Sequence, residues 1–272
     1  MKFSVLMSVY AKEDPTCLKD SLQSIFDQTL QADEVVVVKD GPLTPALEEV
    51  IGNFERRHTS IKIVALKVNQ GLGVALNAGL KACSHEYVAR MDSDDVSTST
   101  RFEKQVGYIT NHPEVDMIGS DIVEYDEMMK EVLAKRSVPN THDAICKLLS
   151  SRTPFNHVSV IFNKQAVIGC GSYEDVPYFE DYYLWCKLAK AGCTFYNLPE
   201  SLVKVRAGKS MAKRRGGLHY IKCIYGFEIK IYKLNIINTP QLINNLAKRI
   251  IFAVTPNNLR TYMYAKLLRE EQ

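Results

Sequence analysis

Four short apolar runs in the first ninety-five residues, three of them followed by a helical pattern, leave few folds open to this chain. FSVLMSVY (3–10) reads as a first buried strand. EVVVVK (34–39) is too continuously apolar to face water on one side. IKIVAL (61–66) and YVARM (87–91) complete the set. Between the first two, Asp14 followed by Pro15 supplies a helix cap and a first-turn proline, and Leu18, Leu22, Ile25 and Phe26 recur at helical spacing. Thr44-Pro45 repeats the device, with Leu47, Ile51 and Phe54 as the stripe. Asn69-Gln70-Gly71-Leu72-Gly73 turns into a third helix containing Asn77, Gly79 and Leu80. Strand and helix alternating three times before a fourth strand predict a three-layer α/β/α fold with a mostly parallel central sheet.

The fourth strand ends in three carboxylates within four residues, Asp92-Ser93-Asp94-Asp95. The C-terminal edge of an open α/β sheet is where ligands bind. Clustered carboxylates repel one another unless something positive joins them, which points to a divalent cation and a phosphate-bearing substrate. The plainer alternative is a solvated acidic turn with Asp95 or Ser97 as a helix cap. The 69–73 turn lacks the GxxxxGK[ST] spacing of a P-loop and follows the third strand, not the first, so it is not a dinucleotide fingerprint. It either brings backbone amides close to a ligand or serves only as a tight turn.

The 272 residues suffice for one large domain or one domain with an appendage, and 46% hydrophobic with 24% charged content is ordinary for a folded soluble protein. Seven scattered cysteines without a CxxC pair suggest free thiols in a reducing compartment. The N-terminus does not read as a signal peptide, and no window supplies eighteen clean apolar residues, so export and membrane spanning are not expected. The net charge of +3 hides an asymmetry: residues 204–272 hold fourteen Lys or Arg against three Glu, while the preceding 203 residues are net acidic. The basic tail seeks phosphate, nucleic acid or a lipid surface, or simply balances the acidic body.

Further on, helical spacing recurs over 98–110 with Phe102, Gln105, Val106 and Ile109, and Val115–Tyr125 reads as a longer strand. Residues 127–138 read as a hairpin or extended excursion, 143–149 as a short helix and 157–162 as a strand. Glu180-Asp181 opens an amphipathic helix with Leu184, Trp185 and Leu188; both carboxylates fall where free amides favour negative charge, and Tyr178-Phe179 before them suggest a site wall. Residues 194–196 and 201–205 read as two short strands, and 206–217 as a basic loop suited to closing over phosphate. The remainder is helical, punctuated by Pro240 and Pro256, and can dock on the body, pair between subunits or lie at a membrane surface.

The whole order resembles the family 2 glycosyltransferases of GT-A fold, and most of all the bacterial enzymes that build surface polysaccharides. The stretches that carry the resemblance are SVLMSVYAKEDPTCLKDSLQSIFDQTL, EVVVVKDG, NQGLGVALNAGL, ARMDSDD, PFNHVSVIF, YFEDYYLWCKLAKAG and VRAGKSMAKRRGG, covering roughly residues 3 to 217 in family order. The resemblance implies a GT-A catalytic domain over 1–217 and a basic helical extension over 218–272. It implies that Tyr10 and its neighbour Glu13, with Asp40, line the base pocket, and that the Asn69, Gly71 and Asn77 region closes one side of the nucleotide. Arg90 and Asp92 fall on the nucleotide side, with Asp92 towards the ribose. Asp94 is the usual metal contact, assisted by Asp92, with His157 carried over beside them. Arg206, Arg214 and Arg215 would contact the diphosphate. Asp181 corresponds to the catalytic base, and Glu180 would orient the acceptor or support Asp181. The QxxRW motif of processive members is absent, and Lys213-Arg214-Arg215-Gly216 stands near its place, which favours one sugar added per encounter.

The chemistry so implied is inverting transfer from a nucleotide-diphosphate sugar, UDP-linked by expectation, assisted by Mn2+ or Mg2+. The acceptor would be an oligosaccharide or a polyprenyl-diphosphate-linked saccharide. The enzyme would then be cytoplasmic and peripheral on the inner face of the cytoplasmic membrane, drawn to its anionic surface, with the C-terminal helices open to homo-oligomer contacts. Two alternatives compete. A sugar-phosphate nucleotidyltransferase should show a glycine-rich basic loop after the first strand, and Tyr10-Ala11-Lys12-Glu13-Asp14 has no glycine. A basic nucleic-acid or membrane binding module leaves Asp92, Asp94 and Asp181 unexplained, so nucleic acid is not an expected partner.

Overall fold

Alternating burial along the strands builds two cores, one on each face of a single sheet. A computed structural model of the chain describes residues 1–207 and 216–255. Strands β1 (Phe3–Val9), β2 (Glu34–Lys39), β3 (Ile61–Ala65) and β4 (Tyr87–Asp92) pair in parallel in the order β3-β2-β1-β4. Val35 and Val37 point into one core and Val36 and Val38 into the other, so the continuous apolar run is the mark of a strand covered twice. Helices α1 (Pro15–Phe26), α2 (Pro45–Arg57) and α4 (Arg101–Asn111) cover the Val35 face, and α3 (Leu72–Ala82) covers the Val36 face. Both proline starts are capped as the sequence predicts: Asp14 accepts from the Thr16 and Cys17 amides, and Thr44 from that of Leu47. All seven cysteines are free.

The sheet is mixed, which corrects the mostly parallel expectation. After β4 come β5 (Val96–Ser97), β6 (Met117–Tyr125), β7 (Val132–Arg136), β8 (Ile161–Asn163) and β9 (Phe195–Arg206), extending the order to β4-β8-β6-β9-β5 with β7 also on β6. The β4–β8, β6–β8, β6–β7 and β5–β9 pairs are antiparallel, and only β6–β9 is parallel. A strand of three residues such as β8 shows an apolar run but not its direction; only its partners decide that. The expected 127–138 excursion is the β6–β7 hairpin. The two short strands expected around 194–205 form one strand. Its register against β6 jumps from Ser120↔Leu198 to Asp121↔Ser201, looping out Pro199, whose nitrogen has no proton to donate, together with Glu200.

Helices α5 (His142–Leu149), α6 (Lys164–Gly169) and α7 (Glu180–Lys190) join α3 on the Val36 face. The C-terminal helices α8 (Gly217–Lys233) and α9 (Thr239–Val254) share that core, where Tyr220, Ile224, Phe227 and Ile231 meet Phe179, Tyr182 and Trp185. No helix among the described residues is long and apolar enough to cross a membrane.

Candidate active site

Parallel register brings the candidate residues to one edge. Ser8 sits beside Asp92 and Val9 beside Lys39, so β1, β2 and β4 end at one level and deliver Tyr10, Asp40 and Asp92 side by side. Because β8 runs against β4, the segment that leads into β8 arrives at that same edge. There a single 3-10 turn, His157–Ser159, replaces the first half of the expected 157–162 strand, and the Arg90 amide donates to the Val160 carbonyl at 2.9 Å. The antiparallel β5–β9 pair brings Arg206, the last residue of β9, to the acidic turn.

Carboxylate oxygens of Asp92, Asp94 and Asp95 lie within 4.8 Å of one another. Asp95 is buried and accepts the Arg206 amide at 2.9 Å; Asp92 is ion-paired with the buried Arg90. The Arg206 guanidinium donates to the Asp94 carbonyl and pairs with Asp20 at 2.8 Å. Burial, with Asp92 and Glu13 close by, pushes the Asp94 carboxyl up to about 7, and burial with Asp92 and Asp94 drives Asp95 well above the carboxylate range. Glu13 is also raised by burial and accepts the Ser93 hydroxyl at 2.5 Å. These are hard oxygen donors carrying more negative charge than the neighbouring arginines offset, a donor set that fits Mg2+ or Mn2+.

A fully buried Arg101 holds the turn from below. Its guanidinium donates to the Arg90 carbonyl (2.8 Å), the Ser97 hydroxyl (3.0 Å) and the Gln105 side chain (3.0 Å), and burial beside Arg90 lowers it to about 9.

The 69–77 segment is tied to the edge by Asp40, whose two oxygens accept the Gln70 and Gly71 amides at 2.7 and 3.0 Å, while the Asn69 side chain donates to the Asp40 carbonyl. Gly41, at φ +85, lies so close that a Cβ there would sit 2.5 Å from the Asn69 nitrogen. The Asn77 amide clasps both backbone groups of Tyr173, at 2.7 and 3.0 Å. Asp40 and Asn77, expected to contact the nucleotide, thus spend hydrogen bonds on building its walls. Tyr10 is exposed.

The second acidic group faces a small cleft lined by Leu72, Gly73, Leu76, His157, Tyr173, Glu180 and Asp181. Glu180 and Asp181 open α7; Asp181 accepts the Tyr182 amide at 2.7 Å, and burial raises Glu180. His157 stands in this cleft rather than among the three clustered carboxylates: its Nε2 lies 2.9 Å from the Tyr173 hydroxyl, and burial with Arg90 nearby holds it well below the usual imidazole range. The Tyr173 hydroxyl lines the same cleft as Glu180 and Asp181 and is within electrostatic reach of Arg90 and Asp92. Arg214 and Arg215 lie outside the described residues.

Sequence reasoning passed over Tyr173, Arg101 and Asp20. Tyr173 follows a turn at 169–171 and had only that context; Arg101 lies outside the apolar stripe of its helix; Asp20 meets Arg206 from 186 positions away.

The family described as Glycosyl transferase family 2 matches residues 4–175. The chain is 44% identical over 234 residues to the amylovoran biosynthesis glycosyltransferase AmsE of Erwinia amylovora, covering 86% of this chain and 85% of that protein. It is 38% identical to the UDP-Gal:alpha-D-GlcNAc-diphosphoundecaprenol beta-1,3-galactosyltransferase of Escherichia coli, covering 98% of this chain and 97% of the relative. Among solved structures, TarS 1-349 of S. aureus in complex with UDP-GlcNAc has the same fold, with a TM-score of 0.70 at 16% identity over 98% of this chain and 76% of that one.

Proposed function

Since this chain belongs to glycosyl transferase family 2, we propose that its two acidic groups divide one reaction between them. The protein is an inverting glycosyltransferase of surface-polysaccharide synthesis, moving a sugar from a nucleotide-diphosphate donor to a glycan or lipid-linked acceptor. On our reading the Asp92–Asp94–Asp95 group handles departure of the diphosphate, and Asp181 receives the proton of the incoming hydroxyl. The observation that carries this reading is the pair of acidic groups at one sheet edge, one at the end of β4 and the other lining the cleft with His157 and Tyr173.

A divalent cation at Asp94 and Asp92 would neutralise the charge that grows on the leaving diphosphate. Arg90 orients Asp92 through their ion pair, and Arg206 fixes the turn through the Asp94 carbonyl and the Asp95 carboxylate. Tyr10 and Asp40, with Asn69 and Gly71 in the clamped turn, form the base side. Asp181 takes the proton from the face opposite the leaving group, as inversion requires, and Glu180 orients the acceptor. His157, kept neutral, anchors Tyr173 as part of the cleft floor. We further infer a UDP-linked donor, supported by the donor in the name of the E. coli relative. One sugar is added per encounter, and the enzyme is peripheral at the inner face of the cytoplasmic membrane.

The test is Asp181→Asn assayed against a panel of UDP-, GDP- and dTDP-sugars with Mn2+. The variant should keep protection by the donor against heat denaturation and lose transfer by at least about a hundredfold, the scale of a general base. Transfer at the wild-type rate would remove Asp181 from its role.

A further inference from the structure

The second C-terminal helix carries two opposed faces, and among the described residues only one has a partner. Asn245 and Ala253 are buried and Arg249 half-buried, against α8 and the start of α7. Arg249 pairs with the buried Glu228 at 2.7 Å, and its guanidinium lies over the rings of Phe179, Tyr182 and Phe227. On the opposite side Ile243, Ala247, Ile251 and Val254 recur at helical spacing, and the three large ones are 64%, 62% and 65% exposed. Large aliphatic chains exposed in a row on one helix face mark an interaction surface rather than scattered exposure.

Charge selects the occupant. Helix α9 has no acidic residue, and the one acid of α8, Glu228, is fully buried, whereas Lys222, Lys233 and Lys248 are exposed. An apolar stripe with lysine at its rim and no carboxylate suits the boundary between anionic headgroups and acyl chains. A second copy of the same face would set like charge against like. At sixteen residues α9 is built to lie along a bilayer rather than cross it.

We propose that the outer face of α9 lies on an anionic phospholipid bilayer, with Ile243, Ile251 and Val254 inserted and Lys248 at the headgroups. The inference rests on the reading of a lipid-linked acceptor and adds a reason for it. The inner face of α9 is seated on Phe179 and Tyr182, which flank Glu180 and Asp181, so the membrane-facing helix abuts the acceptor side of the site. An acceptor anchored in the bilayer therefore arrives next to the proposed base.

The experiment is flotation of the full chain with vesicles of phosphatidylglycerol and phosphatidylcholine, or of phosphatidylcholine alone. The wild type should float with the anionic vesicles and do so less at high salt, as screening weakens the lysine contribution. Ile243→Ser combined with Ile251→Ser should reduce flotation at least tenfold while keeping the thermal shift produced by UDP with Mn2+. Wild-type protein that stays with the aqueous phase, or a double variant that floats as the wild type does, overturns the proposal. So does a wild-type dimer that the double variant dissociates. Loss of the UDP and Mn2+ shift in the wild type would instead strike the reading of the catalytic site, which keeps the two failures apart.

Discussion

Burial, with Asp92 and Glu13 as negative neighbours, holds the Asp94 carboxyl at about 7 instead of the ordinary 3.8. The sign of the consequence is fixed by linkage: between those values the folded state holds a proton that the unfolded state has lost, so stability falls as pH rises through that window. The metal-free protein should therefore lose on the order of 1–3 kcal/mol between about pH 4 and about pH 8, and Asp95 contributes in the same direction. A divalent cation favours the ionised form and should restore the loss at the upper end. Thermal midpoints across this range, with and without Mn2+, check it; Asp94→Asn should flatten the metal-free slope and shrink the metal response. A wild-type midpoint that rises with pH without metal would refute the account. Asp92, Asp94 and Asp95 were legible because they are adjacent in the chain. The Ser93–Glu13 and Tyr173–His157 contacts were not, because their partners lie 80 and 16 positions apart and meet only when the sheet edge forms.

The third helix shows what an element must give up to fit. A Cβ on Gly79 would stand 2.2 Å from Leu6 Cδ1 and 2.5 Å from Val38 Cγ2, so α3 lies on β1 and β2 at a distance only glycine permits. That closeness also positions the helix start that lines the cleft through Leu72, Gly73 and Leu76. Gly79→Ala should cost about 1–3 kcal/mol in chemical denaturation, despite alanine's better helix propensity, because the added methyl overpacks the contact. A stabilised variant would show that the helix can lift off freely. The element boundaries that the sequence predicted well are those with chemical punctuation, Asp14-Pro15 and Thr44-Pro45. Those it missed, the 3-10 turn at His157–Ser159 and the undivided β9, have no such signal; they are set by pairing with β4 and β6.

Across the whole molecule, the two C-terminal helices are joined to each other by a buried ion pair, whose arginine also lies over Phe179 and Tyr182 of the body. Glu228 is fully buried, bonded to Arg249 at 2.7 Å and to the Asn245 amide at 3.2 Å. Arg249→Ala leaves that carboxylate without its cation in an apolar setting and should cost about 3–5 kcal/mol. Glu228→Gln combined with Arg249→Met should recover most of that loss, since the charge is removed with its partner. Denaturation midpoints of the single and double variants decide it, and equal loss in both would mean that packing alone joins the helices. By itself the sequence determined the strand–helix alternation, the helix caps and the placing of three carboxylates at a strand end, because periodicity, capping and clustering are local properties of a chain. Only the tertiary structure decided that the second half of the sheet is mixed, that His157 belongs with Tyr173 in the cleft, and that Asp181 lines that same cleft. Strand direction and the meeting of distant side chains depend on which surfaces find one another, and no local pattern encodes that.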